Sequence, residues 1–347
     1  MRRVVFAIPG DIETATGGYA YDRRMIAELS GLGWDVETLR LPAGFPAPSE
    51  RDLTETGAAL AGLADATTVL VDGLAFGAMP EIATAEQDRL RLAALVHHPL
   101  ALETGLRREE AARLRASETA ALACAQLVVS TSETTGRELV ARFRVPADRL
   151  RVVPPGTERG PPAPGGGRPP VILAVGSLTP RKGYDILVEA LASLADLDWH
   201  CRIVGSRERD PAFAARIAAA IEDRGLSDRV VLLGEAVDPR AEMARADLFA
   251  LATRHEGYGM VFAEAMTQGL PVVSCAAGAV PEVVPGTAGI LVPPDDGPAF
   301  GAALRRLLTD ESELRAKAAG ALEAGTRLPD WEGSARRLSA ALETMNA

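Results

Sequence analysis

The stretch Arg254-His255-Glu256-Gly257-Tyr258-Gly259-Met260-Val261-Phe262-Ala263-Glu264-Ala265-Met266 decides how this chain is read. It follows the apolar run Leu248–Ala252, so the segment reads as a strand, a short loop and an apolar helix. Backbone N–H groups at a helix start lack intrahelical partners, and the dipole there favours negative charge. A diphosphate fits such a terminus without a metal. Gly257 and Gly259 carry no side chain, so backbone there can approach a ligand closely. Glu256 lies just before the helix and Glu264 inside it, both placed to accept hydrogen bonds from sugar hydroxyls. Taken alone, the pair reads more simply as a helix-start charge and a solvated helix residue; the rest of the chain decides between the two.

Outward from this stretch, strands and helices alternate through both halves. In the first half strands are expected at Arg3–Ile8, Asp35–Leu39, Ala66–Asp72, Leu92–Val96, Leu127–Ser130 and Leu150–Val153. Helices fit Gly18–Gly31, Asp52–Leu63, Met79–Arg89, Arg107–Ala123 and Glu133–Phe143. The run Arg159-Gly160-Pro161-Pro162-Ala163-Pro164-Gly165-Gly166-Gly167-Arg168-Pro169-Pro170 is a linker by composition. Beyond it, strands are expected at Val171–Val175, Trp199–Val204, Val230–Leu233, Leu248–Ala252, Pro271–Ser274 and Gly289–Val292. Helices fit Gly183–Ala195, Pro211–Arg224, Arg240–Ala246, Met260–Gln268, Val280–Val284, Pro298–Thr309 and Glu311–Gly320. The pattern gives an α/β fold: two doubly wound Rossmann-like domains facing across a cleft, with ligands at the carboxyl ends of the strands. A last helix near Trp331–Met345 has no strand after it and is expected at the hinge or on the first domain.

Composition narrows the function. The 347 residues carry a net charge of −10, which argues against a nucleic-acid binder. Cys124, Cys201 and Cys275 lie in or beside apolar runs without metal or disulfide spacing, as expected of reduced thiols in the cytosol. The apolar run after Arg2-Arg3 is too short for a signal peptide, and no 18-residue apolar stretch is present to span a membrane. Of 37 basic residues only Lys182 and Lys317 are lysines. Nucleotide bias explains the arginine excess, yet Lys182 stands in Thr179-Pro180-Arg181-Lys182-Gly183, directly after a strand. Ammonium and guanidinium side by side suit a phosphate. In the first half, Thr16-Gly17-Gly18 follows a strand and opens a helix, a second anion-ready terminus. It is not a GxGxxG fingerprint, so NAD binding lacks support.

These motifs together resemble the retaining glycosyltransferases of family 4, whose fold is the two-Rossmann-domain GT-B. Ala174-Val175-Gly176-Ser177-Leu178-Thr179-Pro180-Arg181-Lys182-Gly183-Tyr184-Asp185 resembles the family's phosphate loop, and Ile203-Val204-Gly205-Ser206 its second nucleotide-side turn. Glu256 and Glu264 match the paired-glutamate motif; Gly269–Ser274 and Ala277–Val284 continue it. The match is strong over roughly residues 150–325, and weaker through Thr16-Gly17-Gly18, His97-His98 and Val129-Ser130-Thr131-Ser132.

The resemblance implies domains at 1–158 (acceptor side) and 171–328 (nucleotide-sugar side), a linker at 159–170 and a terminal helix at 329–347. It makes Arg181 and Lys182 neutralise the donor diphosphate, Glu264 bind ribose, and Glu256 hold the hexose and β-phosphate with the amides of Gly257, Tyr258, Gly259, Met260 and Val261. Many relatives place an arginine after the loop glycine, where this chain has Ser177 beside Gly176, so Arg181 would take that duty. Gly17 and Gly18 would lie near the diphosphate, His97 would face the transferred sugar, and His98 would contact sugar or acceptor. The implied reaction is hexosyl transfer from a nucleoside-diphosphate sugar, by family frequency UDP-linked, with retention and without a metal or other cofactor. No Asp-x-Asp metal motif and no glycosidase-like carboxylate pair is present.

The acceptor stays open between a lipid such as diacylglycerol, a glycan and a small molecule. Leu102, Leu106, Leu114 and Leu122 with Arg107, Arg108, Arg113 and Arg115 outline a helix that could touch an anionic membrane. Glu103, Glu109, Glu110 and Glu118 interrupt the basic face, and an ordinary surface helix reads better. The expected location is the cytoplasm, with peripheral contact at the inner face of the membrane as the variant. Two alternatives remain: a nucleotide-sugar epimerase on the same fold, and a degenerate protein that binds a sugar nucleotide or lipid without catalysis.

Overall fold

The computed structural model describes residues 2–236 and 238–345; residues 1, 237, 346 and 347, which fall inside the expected domain ranges, lie outside the described residues. The chain divides into two compact units, Met1–Gly156 with Pro329–Ala347, and Thr157–Leu328.

The first unit runs β1 (Arg2–Pro9), α1 (Gly17–Gly31), β2 (Trp34–Leu41), α2 (Glu50–Ala61), β3 (Thr68–Asp72), α3 (Gly73–Phe76), α4 (Pro80–Glu86), β4 (Arg91–Val96), α5 (Arg108–Ala123), β5 (Leu127–Ser130), α6 (Glu133–Phe143) and β6 (Leu150–Val152). Its six strands are all parallel in the order β2-β1-β3-β4-β5-β6. Helices cover both faces, which is why β1 and β3–β5 read as unbroken apolar runs rather than alternating ones. Thr16, Ser49 and Ser132 cap their helices with side-chain oxygens on backbone N–H groups. The helix expected over Met79–Arg89 is present as the shorter α4, and an unexpected single turn, α3, precedes it. Pro80 enters at the first helical turn of α4, where its missing N–H costs nothing, and Asp72 starts α3 by accepting from Leu74 N–H at 2.7 Å.

The second unit runs β7 (Val171–Val175), α7 (Tyr184–Ala192), β8 (His200–Val204), α8 (Pro211–Asp223), β9 (Val230–Gly234), α9 (Pro239–Met243), β10 (Leu248–Leu251), α10 (Met260–Thr267), β11 (Val272–Cys275), α11 (Val280–Val283), β12 (Gly289–Val292), α12 (Gly297–Thr309) and α13 (Glu311–Gly325). Its parallel order is β12-β11-β10-β7-β8-β9. The core is a contiguous set of buried side chains from both helical layers, with Trp199, Tyr184, Phe249, Phe262 and Phe300 as its largest members.

The Gly/Pro-rich run 159–170 belongs with this second unit rather than standing free. Ala163 N–H donates to Gln268 O at 2.7 Å, Gln268 Nε2 to Pro161 O at 3.1 Å, and Gly167 N–H to Asp247 Oδ1 at 2.8 Å. Gln268, just after α10, and Asp247, just before β10, thus anchor a stretch whose composition alone reads as flexible. The final helix, α14 (Trp331–Glu343), belongs to the first unit. Its Trp331 ring meets Tyr21 edge-on at 6.0 Å, Trp34 Nε1 donates to Ser339 Oγ at 2.9 Å, and Arg2 pairs with Glu343 at 2.7 Å.

Candidate active site

In a doubly wound sheet, ligands bind beyond the carboxyl ends of the strands where the strand order reverses. In the second unit that point lies between β7 and β10, and the loops leaving those two strands carry most of the expected donor residues. From the β7 loop come Gly176, Ser177, Arg181 and Lys182; from the β10 loop come Glu256, Gly257, Tyr258 and Gly259, followed by Met260, Val261 and Glu264 on α10.

Local backbone brings the two loops together. Residues Pro180–Lys182 form a single 3₁₀ turn, which Gly183 ends with φ +66° before α7 begins. A Cβ on Gly183 would lie 1.9 Å from Ala252 O, so only glycine lets the β7 loop lie against the end of β10. Arg254 then ties the junction: its N–H donates to Arg181 O at 2.7 Å, and its guanidinium pairs with Asp185 at 2.8 Å and Asp295 at 2.7 Å.

Glu256 is the centre of this region. Its carboxylate is buried, accepting from Lys182 Nζ at 2.7 Å and Thr253 Oγ1 at 2.9 Å on one oxygen and from Arg181 Nη1 at 3.4 Å on the other. Burial alone would push the carboxyl up, but the charges of Lys182 and Arg181 overcome it and bring it down to about 2. The cluster is therefore ionised at neutral pH, with two cations on one carboxylate. Its excess positive charge is held in place beforehand and partly exposed at Arg181.

Next to this charge, α10 opens without a side-chain cap. Gly259 precedes it with φ +95°, and the first helical bonds run from Phe262 and Ala263 N–H to Gly259 O. An uncapped helix start beside an excess of cations is an anion site by both dipole and charge. Glu264 is half-buried one turn further on, and burial raises its carboxyl to about 7 against the opposing charge of Arg240.

The first unit reverses strand order between β1 and β3, and a different cluster occupies that point. His97, directly after β4, has its Nε2 3.0 Å from Asp22 Oδ1 on α1 and 3.7 Å from Asp72 Oδ2 at the end of β3. Both carboxyls are buried. Gly18 allows α1 this close: a Cβ there would meet His97 Cδ2 at 3.3 Å. Desolvation lowers the His97 imidazole, but Asp22 and Asp72 outweigh it and raise the net value. Burial and the neighbouring Asp22 carry Asp72 up to about 7. His98 turns elsewhere, toward Glu103 at 3.9 Å, and Gly17 lies exposed at the start of α1. Among the described residues Asp22, Asp72 and His97 each bring one nitrogen or carboxylate oxygen within 4.8 Å of the others.

Asp22 and Asp72 are absent from the sequence expectations, although signals for both exist. Asp22 shares the buried stripe of α1 with Tyr21, Met25 and Leu29, an acid where the helical period demands an apolar residue. Asp72 ends a wholly buried strand at its ligand-facing end. The arginine-bearing α5 shows the opposite: Leu114 and Leu122 turn into the core and Leu102 and Leu106 pack against it, leaving a charged outer face. Among the described residues no helix is long and apolar enough to cross a membrane.

The chain is similar to known proteins in sequence and in fold. The model for glycosyl transferases group 1 matches residues 169–310, and that for glycosyltransferase family 4 matches residues 69–159. The D-inositol 3-phosphate glycosyltransferase of Xylanimonas cellulosilytica is 32% identical over 252 residues, covering 65% of this chain and 58% of that protein. The lipopolysaccharide core biosynthesis mannosyltransferase LpsB of Rhizobium meliloti is 30% identical over 177 residues, 49% of this chain and 50% of that protein. The matches thus span between half and three fifths of these relatives' lengths. In fold, sucrose-phosphate synthase of Thermosynechococcus elongatus superposes with a TM-score of 0.83 at 21% identity, covering 100% of this chain and 99% of that one. HepE of Anabaena, solved with UDP and glucose, gives a TM-score of 0.79 at 18% identity, covering 99% and 100%. The fold is the two-domain GT-B architecture. Within that class, the chain belongs to glycosyltransferase family 4.

Proposed function

We propose that this chain is a retaining hexosyltransferase that takes a hexose from UDP and passes it to a hydroxyl of a sugar or polyol, without a metal. The observation that carries the reading is the Lys182–Glu256–Arg181 cluster beside the uncapped start of α10. The β-phosphate of a leaving nucleoside diphosphate gains charge as the glycosidic bond breaks. Preorganised cations and helix N–H groups stabilise that charge where it develops. Glu256 orients the ammonium and guanidinium, Met260 and Val261 offer N–H groups, and Glu264 accepts from ribose. The departing phosphate takes the acceptor proton as the hydroxyl attacks from the same face. HepE binding UDP supports the uridine donor, and relatives named for inositol phosphate and lipopolysaccharide core support a polyol or sugar acceptor.

The test is thermal shift against UDP, GDP and ADP, then transfer from the matching sugar nucleotide to an acceptor panel. A rise in midpoint with UDP, through binding to the native state, and product formation lost in Lys182→Ala are expected. No rise with any nucleoside diphosphate at millimolar concentration would overturn the reading. Binding without transfer to any acceptor would support the degenerate binding protein instead.

A further inference from the structure

The first unit holds an unusual buried group at the reversal point of its sheet. Two carboxyls, Asp22 and Asp72, have 0% and 1% exposure, and each leaves its Oδ2 with no hydrogen-bond partner. Both face one imidazole. Two bare carboxylates so deep and so close would repel strongly, so the cluster must bind a proton or face positive charge. His97 Nε2 lies 3.0 Å from Asp22 Oδ1, within the range at which a protonated ring nitrogen donates to a carboxylate. A proton held there would leave Nε2 no lone pair for a metal. Asp72 satisfies one oxygen on Leu74 N–H and holds the other toward the ring, with its carboxyl raised to about 7 by burial and by Asp22. Among the described residues the hydrogen bond of the ring is the one at Nε2, while the side chain keeps 20% of its surface exposed. The remaining titratable neighbour is Tyr21, whose ring edge lies 5.1 Å away and whose hydroxyl donates to Val153 O.

We infer that Asp22 and Asp72 are positioning residues that keep His97 as an imidazolium, its Nε2–H fixed on Asp22, so that Nδ1–H is a permanent donor to an oxygen of the transferred sugar. This rests on the transferase reading for the identity of the ligand, but not for the state of the ring. A charged ring sets positive charge against the two buried carboxyls that face it. An imidazolium has both ring nitrogens as donors, and a charged donor bonds more strongly than a neutral one. Asp22→Asn would keep the shape while removing the charge that maintains the proton, so the ring would turn neutral as pH rises.

The experiment is imidazole NMR on ¹⁵N-histidine protein, with the His97 signal assigned by loss in His97→Gln, in wild type, Asp22→Asn and Asp72→Asn. The wild-type ring is expected to titrate above the ordinary value of about 6.5 and to fall toward it in Asp22→Asn. In transfer assays, Asp22→Asn should cut kcat at pH 8 about tenfold, while the KM for the sugar nucleotide stays within about twofold. The alkaline limb of the kcat profile should move to lower pH, and activity should recover near pH 6. Asp72→Asn serves if Asp22→Asn does not fold, since it leaves the Asp22 contact intact and removes the second carboxyl facing the ring. A wild-type His97 titrating at the ordinary value, or one unmoved in both variants, would overturn the inference. So would a stoichiometric divalent metal in purified protein that is lost with Asp22→Asn. If the protein shows no transfer at all, the titration still decides the state of His97 while the activity reading fails separately.

Discussion

The two units have the same kind of sheet and place a buried ionic cluster at the same topological position, with opposite balance. In the second unit two cations surround one carboxylate, Glu256; in the first, two carboxyls surround one imidazole, His97. The parallel sheet supplies a location: strand ends part there and loops converge. It does not supply the chemistry, which follows from a few side chains in those loops. One cluster has charge to give to an anion, and the other stores protons.

The largest effect should come from removing the charge excess. Lys182→Ala should lower kcat/KM for sugar transfer by about a thousandfold, by loss of a preorganised donor to the developing phosphate charge. Steady-state kinetics with the wild-type donor measures it; a loss under tenfold would make the cluster structural. Glu256→Gln tests the same cluster from its centre. Leaving Lys182 and Arg181 without their buried partner should cost about 3–5 kcal/mol of stability by thermal or denaturant unfolding. A nucleoside diphosphate should recover part of it, because an anion replaces the missing charge.

Opposite balance predicts opposite response to pH. Glu256 is held at about 2 against an unfolded value of 4.5, so its contribution is present above 4.5 and disappears as pH falls toward 2. Asp72, raised to about 7 from 3.8, retains its proton in the fold, so its contribution is present below 3.8 and is lost as pH rises toward 7. Hydrogen exchange on each sheet across pH 3 to 8 should show the second unit weakening on the acid side and the first toward neutrality. Asp72→Asn should flatten only the latter. The smallest effect concerns Glu264, a desolvated carboxyl raised to about 7. Above that pH it is ionised at a cost, so Glu264→Gln should raise the thermal midpoint at pH 8 by about 2–4 °C while weakening donor use. An unchanged midpoint would mean that water or Arg240 already compensates the charge.

The contrast also explains what the sequence made legible. The donor-side cluster comes from two short loops whose motifs are local: Pro180-Arg181-Lys182-Gly183 and Glu256-Gly257-Tyr258-Gly259 each carry their chemistry and their turn glycine together. The alternation of strands and helices was readable for the same reason, since apolar period is a local property. The His97 cluster needs α1, β3 and β4 to converge, and Asp22 and Asp72 lie 75 and 25 residues from the histidine they face. No spacing rule joins them. Composition misread residues 159–170, because prolines and glycines report local stiffness but not the Gln268 and Asp247 side chains that hold them.

The return of α14 to the first unit has a consequence for how the molecule is made. A ribosome releases residues 1–156, then the whole contiguous second unit, and only afterwards the helix that covers Tyr21 and Trp34. The second unit can complete its core while the first still exposes aromatic surface. The first half of the polypeptide is thus the last to mature. Shortening the chain at its end would injure the unit that is built first, sparing the one next to the cut.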